Sequence, residues 1–318
     1  MRATSGFSSD PQALVAAGFA VSLAAFAGAL YLLHRLVELE LGREIALSTL
    51  LLISFFPASL FFGIPYTESL FLLLSVGSFY AARLGRWAVA ALLAAVASAT
   101  HYPGVLLVVP LALLYLYGPR QDCAPDRERA GLRPRYRLRA SAGWLALVPL
   151  GLAGYAIYLE LTFGDALAFA RVRPLYGHAS GAPLLAIWEG TRAAIGDIGQ
   201  LADGLSGRPI GTDEGDWWVD SLNFAFMAFA IVATIGSLRR LPPAYGAYAL
   251  VALGVPLSSP NDVHPLASIG RYTVVVFPLF IWLGLVCHER GLTRRALLAS
   301  ALGLAVLSWL WAAGHGVG

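Results

Sequence analysis

The sequence predicts an all-α fold, a polytopic transmembrane helical bundle of about ten spans with one long extracytoplasmic loop. Three observations predict it. Of the 318 residues, 58% are hydrophobic and only 13% charged, and the mean hydropathy is +0.69; a soluble domain of this length needs far more polar surface. Apolar runs of about 17–25 residues recur from end to end, each long enough to cross a hydrocarbon core of about 30 Å. Arginines fall in alternate loops, as they do when alternate loops face the cytoplasm. Backbone groups in lipid must be satisfied internally, so the spans are helices, and the alternating pattern of a barrel strand is absent.

In order, the spans are residues 12–33, 45–62, 66–82, 87–99, 102–117, 142–160, 219–237, 244–257, 271–287 and 296–314. Pro103 and Gly104 in THYPG interrupt the fourth and fifth, which leaves either a tight hairpin or one kinked helix. Residues 118–140 carry Arg120, Arg127, Arg129, Arg133, Arg135, Arg137 and Arg139, which places this loop in the cytoplasm. Counting outward puts four further connections on the same side. They hold His34, Arg35 and Arg43; Arg83 and Arg86; Arg239 and Arg240; and Arg290, Arg294 and Arg295. A wrong span count would scatter these arginines between the two sides.

The opposite side then holds the N-terminus, the IPYTE and THYPG turns, the loop 161–218, the segment 258–270 and the C-terminus. The whole chain, 1–318, reads as a single integral membrane domain. Within 161–218, FGDALAFARV (163–172) and PLLAIWEGTRAAI (183–195) have the pattern of interfacial amphipathic helices, and Trp188, Trp217 and Trp218 suit the headgroup layer. The first twelve residues are polar, and the apolar run after them is too long for a signal peptide, so no cleavable leader is expected. Cys123 and Cys287 make no disulfide framework or metal cluster. No cofactor and no nucleic-acid partner are expected, and the need for a metal stays open. All 22 basic residues are arginine, a pattern of genome composition rather than of chemistry.

An ionisable group near membrane depth is a functional hypothesis by default, because it is expensive to leave unpaired there. The expected outer face collects several. Glu68 follows Tyr66 and Thr67 at the start of a span, and His101 and Tyr102 sit in the broken-helix turn. Asp262 and His264 lie in SSPNDVHP, Arg271 opens RYTVVVFPLF, and Arg171 and Arg173 lie near Asp165.

Each has a plainer reading. Glu68 gains about 0.3–1 kcal/mol from the helix dipole alone. His101 suits a turn beside Pro103, and Arg271 can snorkel to the interface. Asp262 suits an Asx turn, His264 and Asp165 ordinary loop polarity, and Arg171 and Arg173 lipid-phosphate contacts. Taken together, acids, imidazoles and arginines on one face of a bundle fit a substrate with a phosphate head and a lipid tail, since arginine binds phosphate bidentately.

Residues 56–117, from FPASLFFGIPYTESLFLLLSVGSFYAARLGRWAVAALLAAVASATHYPG to LLYLY, resemble the PIG-V family of mannosyltransferases. FGDALAF (163–169), LRRLPPAYGAYALVALGVPLSSP (238–260) and RYTVVVFPLF (271–280) fit the same family in the same order. The resemblance implies a GT-C type glycosyltransferase of many helical spans. Such an enzyme takes mannose from a polyprenyl phosphate carrier outside the cytoplasm and gives it to a lipid-linked or protein acceptor; eukaryotic relatives act in GPI anchor assembly. The composition looks bacterial, so a bacterial plasma membrane and its lipids are the expected setting. On this reading the substrate-binding candidates are Tyr66, Glu68, His101, Tyr102, Arg171, Arg173, Asp262, His264 and Arg271, with Glu68 expected either to position the sugar or to pair with Arg271.

The chain departs from the family pattern twice. The family's usual catalytic carboxylate lies in a WDxxWY-like segment after its first span. Nothing here matches it, so an N-terminal span and first outer loop are expected to be missing and no catalytic residue is assigned. At ATHYPG relatives usually have an arginine; His101 titrates near neutrality instead, so phosphate binding is not carried over to it. Two rival readings stand beside the enzyme: a truncated, non-catalytic homologue that binds the lipid phosphate sugar, and a lipid or solute transporter. A transporter calls for mid-span charges and internal repeats, and neither is visible.

Overall fold

The computed structural model describes residues 11–126, 133–177, 181–205 and 218–316. These are almost wholly helical. The chain begins with α1 (Pro11–Leu41), followed by α2 (Arg43–Phe55) and the short α3 (Leu60–Gly63). Between α2 and α3 the 3-10 turn Pro57–Ser59 bends the path by 70°. The cause is local: Phe56 precedes a proline and is held extended, at φ −60° and ψ 142°. Ile64, before Pro65, is extended in the same way and ends α3.

A hairpin follows, α4 (Glu68–Arg83) and α5 (Trp87–Thr100). His101 is extended, a 3-10 segment covers Tyr102–Leu107, and α6 (Val108–Tyr117) continues from it. Trp87 at the start of α5 packs on Tyr115 at the end of α6, ring centroids 4.5 Å apart. The chain therefore doubles back at THYPG, and the hairpin is the correct one of the two alternatives.

After the arginine-rich loop, a 3-10 segment Ala140–Leu147 leads into α7 (Val148–Phe163). Gly164, at φ +71°, ends α7 in a left-handed cap. Residues 163–172 are thus not one amphipathic helix, because the cap falls inside them; only α8 (Ala168–Arg171) remains helical there. The second amphipathic segment is a longer helix than expected, α9 (Pro183–Leu205). The chain closes with α10 (Val219–Arg240), α11 (Pro243–Leu257), α12 (Ile269–Val274), α13 (Phe277–Glu289) and α14 (Thr293–Ala312). Trp217, Arg127, Arg129 and the acids Asp213, Glu214 and Asp216 lie outside the described residues.

Among the described residues, four helices are long and apolar enough to cross a membrane alone: α1, the Ala140–Phe163 unit, α10 and α14. The bent α2–α3 pair makes a fifth if it is one span. Shorter apolar helices, α5, the Tyr102–Tyr117 unit, α11 and α13, pack against them, with one side of α5 exposed at Val89, Leu92 and Val96. Their bends and 3-10 turns are tolerated because they are packed against protein. Phe79, Tyr245, Tyr248 and Phe277 form one aromatic knot, and Phe56, Phe226, Phe229 and Phe280 another. Small hydroxyls tie helices together: Ser98 Oγ donates to Val148 O at 2.7 Å and accepts from Leu152 N, and Ser237 Oγ donates to Pro278 O.

Ion pairs mark the two ends of the bundle. At one end Glu40, closing α1, meets Arg83, closing α4, and accepts a bond from Tyr245 Oη, opening α11, at 2.8 Å. Nearby, Arg120 folds the arginine-rich loop back onto the bundle. Its guanidinium lies 4.2 Å from the Tyr115 ring centroid, 4.9 Å from Trp87 and 5.1 Å from Tyr136. It donates to Tyr115 O and to both carboxylate oxygens of Asp122. The side chain is buried, so its removal leaves a partly buried acid and an empty aromatic box. Arg120→Ala is expected to cost about 3 kcal/mol, measured as a lower unfolding midpoint in detergent. Arg120→Lys should recover only part of this, because a point charge cannot bond Asp122 through a fork.

Candidate functional site

The other end of the bundle is where α4, α10 and α12 begin and α5 ends. Its centre is Glu68. The turn Ile64–Thr67 leaves α3 extended and re-enters a helix at Glu68, the first residue of α4. Tyr66 N donates to Ile64 O at 2.7 Å, and Ser22 Oγ on α1 braces Tyr66 O. The carboxylate so placed is only 5% exposed. It does not simply sit in the helix dipole. Arg271 on α12 donates to its Oε1 through Nε at 2.8 Å and through Nη2 at 2.6 Å. The Arg271 side chain stays 32% exposed. Its guanidinium lies over the rings of Tyr66, at 4.5 Å, and Phe61, at 5.7 Å.

Next to this pair lies an aromatic wall. The His101 ring stacks on Tyr272 at 5.7 Å and meets Phe71 edge-on at 5.4 Å, with Tyr102 at 5.8 Å. Burial pushes the His101 imidazole down to about 4, and the Arg271 charge adds to the effect. His101 is therefore neutral at neutral pH and supplies no cation where relatives usually carry arginine. Arg173 lies over the Tyr102 ring, its guanidinium 5.2 Å from the ring centroid. A small cavity lined by Phe71, His101, Pro103, Tyr248 and Tyr272 opens beside the wall.

A second polar group stands at the start of α10. His264 Nδ1 lies 3.1 Å from Asp220 Oδ2. Asp197 on α9 accepts a bond from Ser221 N at 2.7 Å. Burial raises the Asp197 carboxyl above the usual carboxylate range, the neighbouring Asp220 charge adds to the rise, and the Ser221 bond opposes it.

The nine sequence candidates are thus divided. Tyr66, Glu68, His101, Tyr102, Arg173 and Arg271 come together through direct contacts or shared neighbours. His264 pairs with Asp220 instead. Arg171 is a largely exposed side chain bonded to Asp165 at 3.2 Å. Asp262 is exposed, and its backbone N–H donates to Gly177 O at 2.8 Å. The Asx turn read at Asp262 belongs to Asn261, whose Oδ1 accepts from Val263 N and His264 N. The shift of one residue follows from Pro260, which fixes the backbone just before Asn261.

Sequence reasoning missed Phe61, Tyr272, Asp220, Asn223 and Thr273. Buried polar atoms without a hydrogen-bond partner gather at this end: Glu68 Oε2, Tyr102 Oη, Asp220 Oδ1, both amide atoms of Asn223, and Thr273 Oγ1. Such groups are costly to leave unmade. Only the proximity of Tyr272 to Arg271 in RYTVVVFPLF could have flagged any of them. Among the described residues, no three His, Cys, Asp or Glu side chains group closely enough to hold a metal ion.

Chemically, the site offers two arginines on aromatic faces, one of them held by a buried carboxylate, and a row of unpaired polar atoms. That combination suits an anionic, hydroxyl-rich group beside an apolar one. Comparison with curated proteins and with solved structures gives no match. Residues 9–115, about a third of the chain and containing Tyr66, Glu68 and His101, match the model of the family described as Mannosyltransferase (PIG-V).

Proposed function

We propose that the protein is a membrane glycosyltransferase that moves mannose from a polyprenyl phosphate carrier to an acceptor hydroxyl at the Glu68 end of the bundle, outside the cytoplasm. The observation that carries the reading is the Glu68–Arg271 pair, whose carboxylate lies within the family-matched residues 9–115. Glu68 fixes the guanidinium so that one edge is held and the rest faces the aromatic mouth. Arg271, with Arg173 over the Tyr102 ring, then meets the departing lipid phosphate. Placed before the reaction, these charges stabilise the negative charge as it develops. The orphaned polar atoms at this end receive sugar hydroxyls, and the apolar helix faces take the polyprenyl chain.

The acceptor oxygen forms a bond to the anomeric carbon as the carbon–oxygen bond to phosphate breaks. The electron pair leaves with the phosphate, and one displacement inverts the anomeric centre. The phosphate is already a good leaving group, so no general acid is required. The hydroxyl proton passes to a base, a step typically worth about 10²–10⁴-fold. Neutral His101 shapes the wall and does not add charge to it.

The test is a transfer assay in membranes with synthetic polyprenyl phosphate mannose. Mannosylated product that appears with this chain and disappears with Arg271→Gln supports the enzyme. Donor binding without product, in a folded protein, favours the non-catalytic homologue. Neither binding nor product removes both readings.

A further inference from the structure

The arginine-rich end contains a cleft that this function does not use. It lies between α10 and α13, with a volume of about 500 Å³. Val232, Ile235, Trp282 and Val286 form its walls, and Arg239, Arg240 and Arg290 form its rim. Val232 and Ile235 are 56% and 44% exposed on a helix apolar enough to span a membrane, so these walls face hydrocarbon. Gly236 shapes the floor. A Cβ there would lie 2.1 Å from Trp282 Nε1, so the indole can lie across α10 only because the side chain is missing.

The rim charges are unequal. Arg240 is ion-paired with Glu289. Among the described residues, Arg239 and Arg290 take part in no ion pair, and exposed Arg294 and Arg295 follow at the start of α14. The other acid nearby, Glu44, faces His288. The rim is therefore net positive and the walls below it are apolar.

We propose that this cleft binds an anionic phospholipid, with the phosphate between Arg239 and Arg290 and an acyl chain along Val232, Ile235 and Val286. Guanidinium forks fit phosphate oxygens. Basic pockets between membrane helices are suited to anionic headgroups, and an indole suits the boundary of headgroup and chain. Free phosphate would satisfy the rim but leave the walls unused, so the cleft commits to a lipid. The site lies at the opposite end from Glu68 and does not depend on the transfer reaction.

The test uses the full chain purified in detergent, offered phosphatidylglycerol or phosphatidylcholine, with bound lipid read by native mass spectrometry. Phosphatidylglycerol should be retained about tenfold better than phosphatidylcholine, and the variant Arg239→Gln/Arg290→Gln should lose that preference. If the double variant does not fold, each single variant should lose part of it. Ile235→Trp, which fills the apolar wall and leaves the rim intact, should also reduce retention. Equal retention of the two lipids, unchanged preference in the arginine variants, or full displacement by inorganic phosphate would overturn the proposal.

Discussion

Arg271→Ala is expected to lower stability by about 3–5 kcal/mol and to abolish mannose transfer. The stability loss comes from Glu68, which would remain buried as a charge with no partner. The transfer loss comes from the missing phosphate contact. Glu68→Gln should be milder for stability, because the amide still accepts a bond and Arg271 is partly open to solvent. It should still reduce transfer at least tenfold, since a neutral group holds the guanidinium less firmly. The double variant Glu68→Gln/Arg271→Gln separates the two effects. It should regain most of the stability lost in Arg271→Ala but none of the transfer. Unfolding midpoints in detergent and turnover with polyprenyl phosphate mannose measure both quantities. An Arg271→Ala protein with the parent's midpoint would mean that Glu68 does not rely on this partner.

The second large effect is expected at the other end. Arg83→Met strips Glu40 of its cation in a place where both side chains are less than a tenth exposed. The expected loss is again about 3–5 kcal/mol. Replacing the pair together, Glu40→Met/Arg83→Met, should recover most of it, because two apolar side chains avoid the cost of desolvating two charges. Tyr245→Phe removes a single bond to Glu40 and should cost about 1 kcal/mol or somewhat more. Transfer per folded molecule should be unchanged in all three, because none lies at the Glu68 end. A midpoint for the double variant as low as that of Arg83→Met would show that the pair stabilises beyond its own desolvation.

Much of the helical architecture is legible in the residues. Apolar runs locate the helices, and prolines at 57, 65 and 103 locate their breaks, because a proline acts on its immediate neighbours. Glu68 is visibly the first charge of a helix. The division of arginines also has a counterpart in the structure: Arg83, Arg120, Arg239, Arg240 and Arg290 all lie at the end opposite Glu68. Local signals fail where the decision is long-range. THYPG permits a hairpin or a kink, and only the packing of Trp87 on Tyr115 selects the hairpin. FGDALAFARV has the right pattern for a helix, yet Gly164 caps the preceding helix inside it.

The candidate site divides along the same line. Glu68 and Arg271 are 203 residues apart; the sequence offers their pairing beside a sugar-positioning role for Glu68, and only the fold brings the two side chains into contact. Asp220 and His264 pair across 44 residues, which removes His264 from the Arg271 cluster. His101 reads as a titrating group in sequence. Its lowered pKa follows from burial among groups such as Phe71, Tyr102 and Tyr272, from three different elements, and from the Arg271 charge.

By itself the sequence determined that the chain is helical, that it is too apolar for water, and where prolines 57, 65 and 103 interrupt its helices; the break of the expected span 271–287 into α12 and α13 it did not show. These follow from transfer free energies and from the backbone limits of proline and glycine, which act residue by residue. The tertiary structure alone decided which charges meet, which polar atoms stay unpaired and which arginines remain free at a rim. Those depend on contacts between distant segments, where burial removes water and makes the choice of partner the dominant electrostatic effect.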